Sequence, residues 1–136
     1  MAADEIHRLI IDTEDRDEEA LKLGIDWLRA EALAEPPGVI AVPALRTITS
    51  LLPVITPGEA EDLGYRKEVV SNGARLLLMT KLVQPDSQRI GPVLAIWVGD
   101  VMLDRIEELG PSAICVVPWQ RDQIQHWRDA WSPADL

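Results

Sequence analysis

Three acidic residues stand at or just after the ends of apolar runs that we expect to be buried strands. Asp12 ends the run 6–11, Glu14 follows it, and Asp100 closes the run 93–98 after a single glycine. If these two runs form neighbouring parallel strands, the carboxylates meet at one edge of the sheet. There they could bind Mg²⁺, which prefers oxygen ligands, and so position a phosphate. Acidic residues at strand-to-helix junctions also cap helices, and we favour that interpretation.

Tryptophan and arginine residues near the end of the chain form a second candidate site. Trp119 and Arg121 follow the apolar run 113–117, where an indole and a guanidinium could stack on and clamp a planar or anionic ligand. The alternative is that Trp119 covers the core and Arg121 is solvated. Trp127 and Trp131 share one face of the last predicted helix with Ile124. That stripe predicts core packing or, if a Trp stays exposed, a surface for a protein partner or a second copy.

Several catalytic motifs are absent from the sequence. It contains no Gly-x-Ser-x-Gly nucleophile elbow, no dinucleotide-binding glycine fingerprint and no P-loop. We therefore expect a non-catalytic interaction or ligand-sensing module that needs no cofactor. Two alternatives stay open. One is Mg²⁺-dependent phosphoryl transfer or phosphoester hydrolysis by Asp12, Glu14 and Asp100. The other is an acidic inhibitor that mimics nucleic acid.

The charge balance limits the choice of partners. The chain of 136 residues, which we expect to form one domain over 1–136, has 13 basic and 23 acidic residues and a formal net charge of -10. Such a charge repels phosphate backbones and anionic membranes, so we expect neither a nucleic-acid nor a membrane partner. A protein partner or a second copy, forming a homodimer, is the remaining prediction.

The single cysteine and the N-terminus indicate a cellular setting. Cys115 lies inside the apolar run 113–117, where we expect it to be a buried small hydrophobe and not a nucleophile. One cysteine allows no intramolecular disulfide and fits a reducing compartment. The first residues have neither a basic region nor an apolar segment, so we expect no signal peptide and a cytoplasmic protein.

The elements that must position these residues are predicted from hydrophobic periodicity. Apolar runs at 6–11, 39–42, 93–98 and 113–117 are typical of parallel strands covered on both faces. Amphipathic spacing predicts helices at about 16–34, 101–109 and 120–131, with weaker helices at 44–52 and after Thr56. Thr13 or Asp15 is expected to cap the first of them. Asn72-Gly73 between apolar segments predicts an antiparallel hairpin at about 66–82.

Together these elements predict a three-layer α/β/α sandwich of Rossmann-like character. Its sheet is expected to be mostly parallel, with five to six strands and one antiparallel hairpin. Helices following right-handed crossovers should cover both faces of the sheet. In folds of this kind ligands bind where strands end and helices begin. The order of the strands, which decides whether Asp12 and Asp100 meet, does not follow from the sequence.

Overall fold

The computed structural model describes residues 5–136 and shows a mostly parallel sheet with helices on both faces. Its strands are β1 (His7–Ile10), β2 (Gly38–Ala41), β3 (Glu68–Ser71), β4 (Ala74–Met79), β5 (Pro92–Ile96), β6 (Ala113–Val117) and β7 (Ala134–Asp135). Its α-helices are α1 (Glu18–Ala34), α2 (Pro57–Arg66), α3 (Asp100–Glu108) and α4 (Gln125–Trp131), with 3₁₀ helices at Leu45–Leu51 and Arg121–Ile124. The predicted α/β architecture is confirmed. The sequence predicted five to six strands; β7, the additional strand, has only two residues.

The strand order of the sheet is β3-β4-β2-β5-β6-β1-β7. The four apolar runs therefore lie side by side as β2, β5, β6 and β1, and every pair among them is parallel. The antiparallel pair is β3 with β4, joined by the predicted Asn72-Gly73 turn. Both turn residues have positive φ, 50° and 85°, as a tight hairpin requires. The carboxyl ends of the parallel strands thus share one edge, called here the carboxyl edge.

Local hydrogen bonds explain where the helices begin. Asp17, not Thr13 or Asp15, caps α1, because its carboxylate accepts from the backbone N–H of Ala20 at 3.1 Å and from the Thr13 hydroxyl at 2.8 Å. Thr56 and Glu59 form the capping box of α2. The predicted helix at 44–52 is a 3₁₀ helix, consistent with its β-branched residues. Within residues 5–136, no helix is both long and apolar enough to cross a bilayer.

Two apolar clusters hold the layers together. On one face of the sheet, α1, α2 and the first 3₁₀ helix pack on Ile40, Leu94 and Cys115. On the other face, α3 and α4 pack on alternate residues of the same strands, and Trp127 is the largest buried side chain there. Burial raises the pKa of the Cys115 thiol to about 12, so the thiol stays protonated and unreactive at neutral pH.

Candidate ligand-binding site

A cleft of about 1100 Å³ opens at the carboxyl edge, between the segments that follow β2 and β5. These two strands are parallel neighbours. The chain leaves β2 toward β3 and β4, but it leaves β5 in the opposite direction, toward β6. Because the two connections diverge, they leave a crevice between them, which is where open α/β sheets bind ligands. We call this cavity the carboxyl-edge cleft; one wall is residues 43–50 and the other is residues 97–102.

The carboxyl-edge cleft is lined by positive charge although the chain is acidic. Four basic side chains line it, namely Arg16, Arg46, Lys81 and Arg105. None of the four forms an ion pair with a carboxylate in the described part of the chain. Among its described lining residues Asp100 is the only acid. A cleft lined by one sign of charge concentrates the opposite sign, so this one favours anions.

The carboxylate of Asp100 is already engaged by the protein itself. Its Oδ1 accepts from the backbone N–H of Trp127 at 2.9 Å, and its Oδ2 accepts from that of His126 at 3.2 Å. Asp100 therefore caps α4, a helix distant in sequence, while Gly99 is the cap residue of α3. The expectation that Asp100 caps its own following helix is wrong; the capping role is right but belongs to another helix.

Asp12 and Asp100 do not meet. The strands before them, β1 and β5, are parallel, but β6 lies between the two, so the juxtaposition required for a shared Mg²⁺ is absent. Among residues 5–136 no group of three His, Cys, Asp or Glu side chains is arranged to hold a metal ion. The structure instead brings Asp12 and Glu14 to Arg121.

Arg121 fastens the loop after β6 to the loop after β1. Its Nε donates to Asp12 Oδ1 at 2.9 Å and its Nη1 donates to Glu14 Oε1 at 2.8 Å. Its backbone N–H also donates to Glu14 Oε2 at 3.0 Å. The Asp12 carboxylate, more than that of Glu14, raises the pKa of the Arg121 guanidinium. Arg121 does not line the carboxyl-edge cleft, so its predicted role as a ligand clamp has no support from its position.

Trp119 does line the cleft, together with Trp97. The ring centroids of Trp97 and Trp119 are 5.1 Å apart and the rings are inclined at 76°, an edge-to-face contact. Trp119 is 36% exposed, so part of its ring stays open to a ligand. Trp97 has a φ of 59°, a strained value for a bulky residue of the kind found at functional sites. Its Nε1–H is buried and has no acceptor among the described residues.

The two tryptophans of α4 lie away from the cleft. Trp127 is buried, and its Nε1 donates to Glu107 Oε2 at 2.9 Å. This supports the interpretation of Trp127 as core. Trp131 is 47% exposed, and the Arg8 guanidinium lies 3.6 Å from its ring centroid. This cation–π contact covers part of the Trp131 surface that we predicted from the sequence as a possible partner-binding surface.

Sequence reasoning missed the residues that give the cleft its character. Arg46, Lys81 and Arg105 belong to three different segments of the chain, and Trp97 is the last aromatic residue before the glycine of the β5–α3 turn. Basic residues shortly after the ends of apolar strands were the available signal. That signal does not predict a common site unless the strand order is known, because the strand order determines which strand ends are adjacent.

The fold and the site define a mostly parallel α/β domain with a cationic cleft at its topological switch point. The chain matches no protein-family model. Comparison with curated proteins and with solved structures likewise gives no match. The functional proposal therefore depends on the residues of the cleft.

Proposed function

We propose that this protein is a ligand-binding module that takes a small anionic molecule into the carboxyl-edge cleft. The observation that carries the proposal is the lining: four basic side chains face one cavity in a chain with a net charge of -10. The one acidic residue among the described residues that line the cleft is Asp100. Both of its carboxylate oxygens accept hydrogen bonds from backbone N–H groups of α4. The cavity is also large enough for a ligand of cofactor size.

The position of the cleft supports binding more than catalysis. The basic and aromatic groups converge on it, whereas the carboxylates of Asp12 and Glu14 are bound to Arg121. The described titratable groups that line it are basic, apart from Asp100, whose carboxylate accepts from two backbone N–H groups of α4. Phosphoryl transfer or phosphoester hydrolysis with Mg²⁺ stays a prediction from the sequence. That prediction required Asp12 and Asp100 to lie close together, and β6 separates the strands that precede them. The nucleic-acid-mimicking inhibitor also stays a prediction.

Partner and location belong to the same proposal. A ligand-sensing module would pass its state to a protein partner or to a second copy of the chain, and α4 is the element that Asp100 links to the cleft. A cytoplasmic setting is part of the proposal because it fits a chain whose single cysteine is buried and reduced.

Charge reversal in the cleft tests the proposal. Inorganic pyrophosphate serves as the probe, and thermal unfolding of the whole chain as the measurement. A ligand at about 100 times its Kd stabilises the folded state by roughly 2.7 kcal/mol, which corresponds to a rise in Tm of several degrees. We expect this rise in the wild type and its loss in Arg46→Glu, because the variant places a carboxylate in the path of the anion.

Arg89→Glu is the matched control. Arg89 is an exposed arginine in a loop and does not line the cleft, so the same change of charge there should leave the rise in Tm intact. A wild type that pyrophosphate does not stabilise would contradict the proposal. Equal losses in Arg46→Glu and Arg89→Glu would show binding through net charge alone and would also contradict it.

A further inference from the structure

We propose that the ligand of the carboxyl-edge cleft is a nucleoside polyphosphate, with its phosphates among the basic side chains and its base against Trp119. This inference rests on the proposed function, that the cleft binds an anion. It adds the chemical class of that anion: several negative charges joined to a flat aromatic ring.

The arrangement of the basic side chains suits a polyphosphate. Arg105 donates from Nη1 to the backbone carbonyl of Lys81 at 3.1 Å, and both residues line the cleft. Arg16 donates from Nη2 to the Ser50 hydroxyl at 3.2 Å, and Arg46 lies on the same 43–50 wall. Cations thus enter the cleft from both of its sides. A single carboxylate would leave some of them unpaired, whereas a chain of phosphates can contact them all.

The first turn of α3 adds backbone donors to the same place. Residues 99–102 line the cleft, and the cap residue Gly99 supplies no side-chain acceptor to the helix. The first N–H groups of a helix have no partner within it and carry part of the positive end of its dipole. Together with the side chains of Lys81 and Arg105, which line the same cleft, this turn forms the expected contact for phosphate oxygens.

The aromatic pair indicates what the rest of the ligand is. The edge-to-face contact with Trp97 holds the Trp119 ring in place, and the remaining exposed part of that ring borders the cleft. A fixed indole beside a cationic site favours a planar ring that can stack on it, because stacking costs little ordering of a ring already held. The hydroxyls of Thr47 and Ser50 also line the cleft and can bond to a sugar.

The test compares ATP with inorganic tripolyphosphate, both without metal, by calorimetric titration of the whole chain. The two probes carry the same phosphate chain, and only ATP has a base and a sugar. We expect ATP to bind about ten-fold tighter or more, the size of effect that base stacking on an aromatic side chain produces. In Trp119→Ala this advantage should vanish while tripolyphosphate still binds, and that residual binding shows that the variant is folded.

Trp131→Ala is the matched control, because Trp131 is also partly exposed but lies outside the cleft; it should keep the preference for ATP. Equal affinities of ATP and tripolyphosphate in the wild type would overturn the inference and leave the proposed function standing. Retention of the ATP preference in Trp119→Ala would overturn the placement of the base. Failure of both probes to bind would overturn the inference together with the proposed function.

Discussion

At the scale of single residues, Asp100 shows how one side chain serves two parts of the fold. It lines the cleft at the start of α3, and its two oxygens satisfy the backbone N–H groups of His126 and Trp127. An exposed acid at this place would oppose the four basic side chains. Both oxygens accept from N–H groups at the start of α4, so the partial positive charge of that helix end offsets part of the charge of Asp100.

We predict that Asp100→Ala destabilises the fold by about 1 kcal/mol, the usual consequence of losing a helix cap. Urea unfolding followed by circular dichroism measures the change. Asp104→Ala is the control, since Asp104 is an exposed acid on the same helix, and it should have a smaller effect. Equal losses of stability in the two variants would argue against the capping role.

The sequence predicted where these residues lie in the fold better than it predicted which residues they contact. Asp12, Glu14, Asp100 and Trp119 all lie at the carboxyl edge, as expected from their places after apolar runs. Their contacts depend on strand order, which brings the loop after β6, and not the loop after β5, next to Asp12. Arg121 consequently pairs with Asp12 and Glu14 instead of facing a ligand.

At the scale of elements, Glu107 joins β1, α3 and α4. Arg8 of β1 donates to both of its oxygens, from Nε at 2.9 Å and from Nη2 at 2.6 Å, and Trp127 of α4 donates at 2.9 Å. Burial alone would raise the pKa of Glu107. The hydrogen bonds from Arg8 and Trp127, with the charge of Arg8, outweigh burial and hold the pKa of Glu107 below its ordinary value.

This network predicts a specific dependence of stability on pH. Because the pKa of Glu107 is lower in the folded state, its contribution is fully present above the pKa of the unfolded chain and is lost as pH falls through the folded-state pKa. At pH 7, Glu107→Gln should lower the free energy of unfolding by about 1 kcal/mol. Between pH 6 and pH 3, roughly the range of carboxylate titration, it should then lose less stability than the wild type does.

Urea midpoints measured across that pH range provide the test. Glu108→Gln is the control, because Glu108 is the exposed neighbour on the same helix and should follow the wild-type curve. Parallel curves for the wild type and Glu107→Gln would contradict the assigned role of Glu107.

Most elements could be predicted because their causes are local. The apolar stripe on α1, the capping box of α2 and the Asn72-Gly73 turn each depend on residues close together in the sequence. The structure confirms all three. The segment 44–52 forms a 3₁₀ helix because its β-branched residues disfavour a longer α-helix. Strand β7 has only two residues and forms by pairing with β1. It is too short for a hydrophobic pattern in the sequence to predict it.

At the scale of the whole molecule, the distribution of charge carries the functional proposal. Four of the 13 basic residues converge on one cleft, while the chain as a whole is strongly acidic. The net negative charge, which argued against nucleic-acid partners, is compatible with binding of a small anion, because a cleft lined by basic residues attracts it locally. The composition predicts only the net charge. The four basic residues come together because the chain connections diverge after β2 and β5 and form the cleft between them.

Amide chemical shifts of the whole chain, recorded by NMR during titration with tripolyphosphate, test the central claim most directly. We expect the changes in shift to be largest at residues 44–50, at 97–102 and at Lys81, which line the carboxyl-edge cleft. Shifts centred on the opposite edge of the sheet, or spread evenly over exposed basic residues, would contradict a binding site at this cleft.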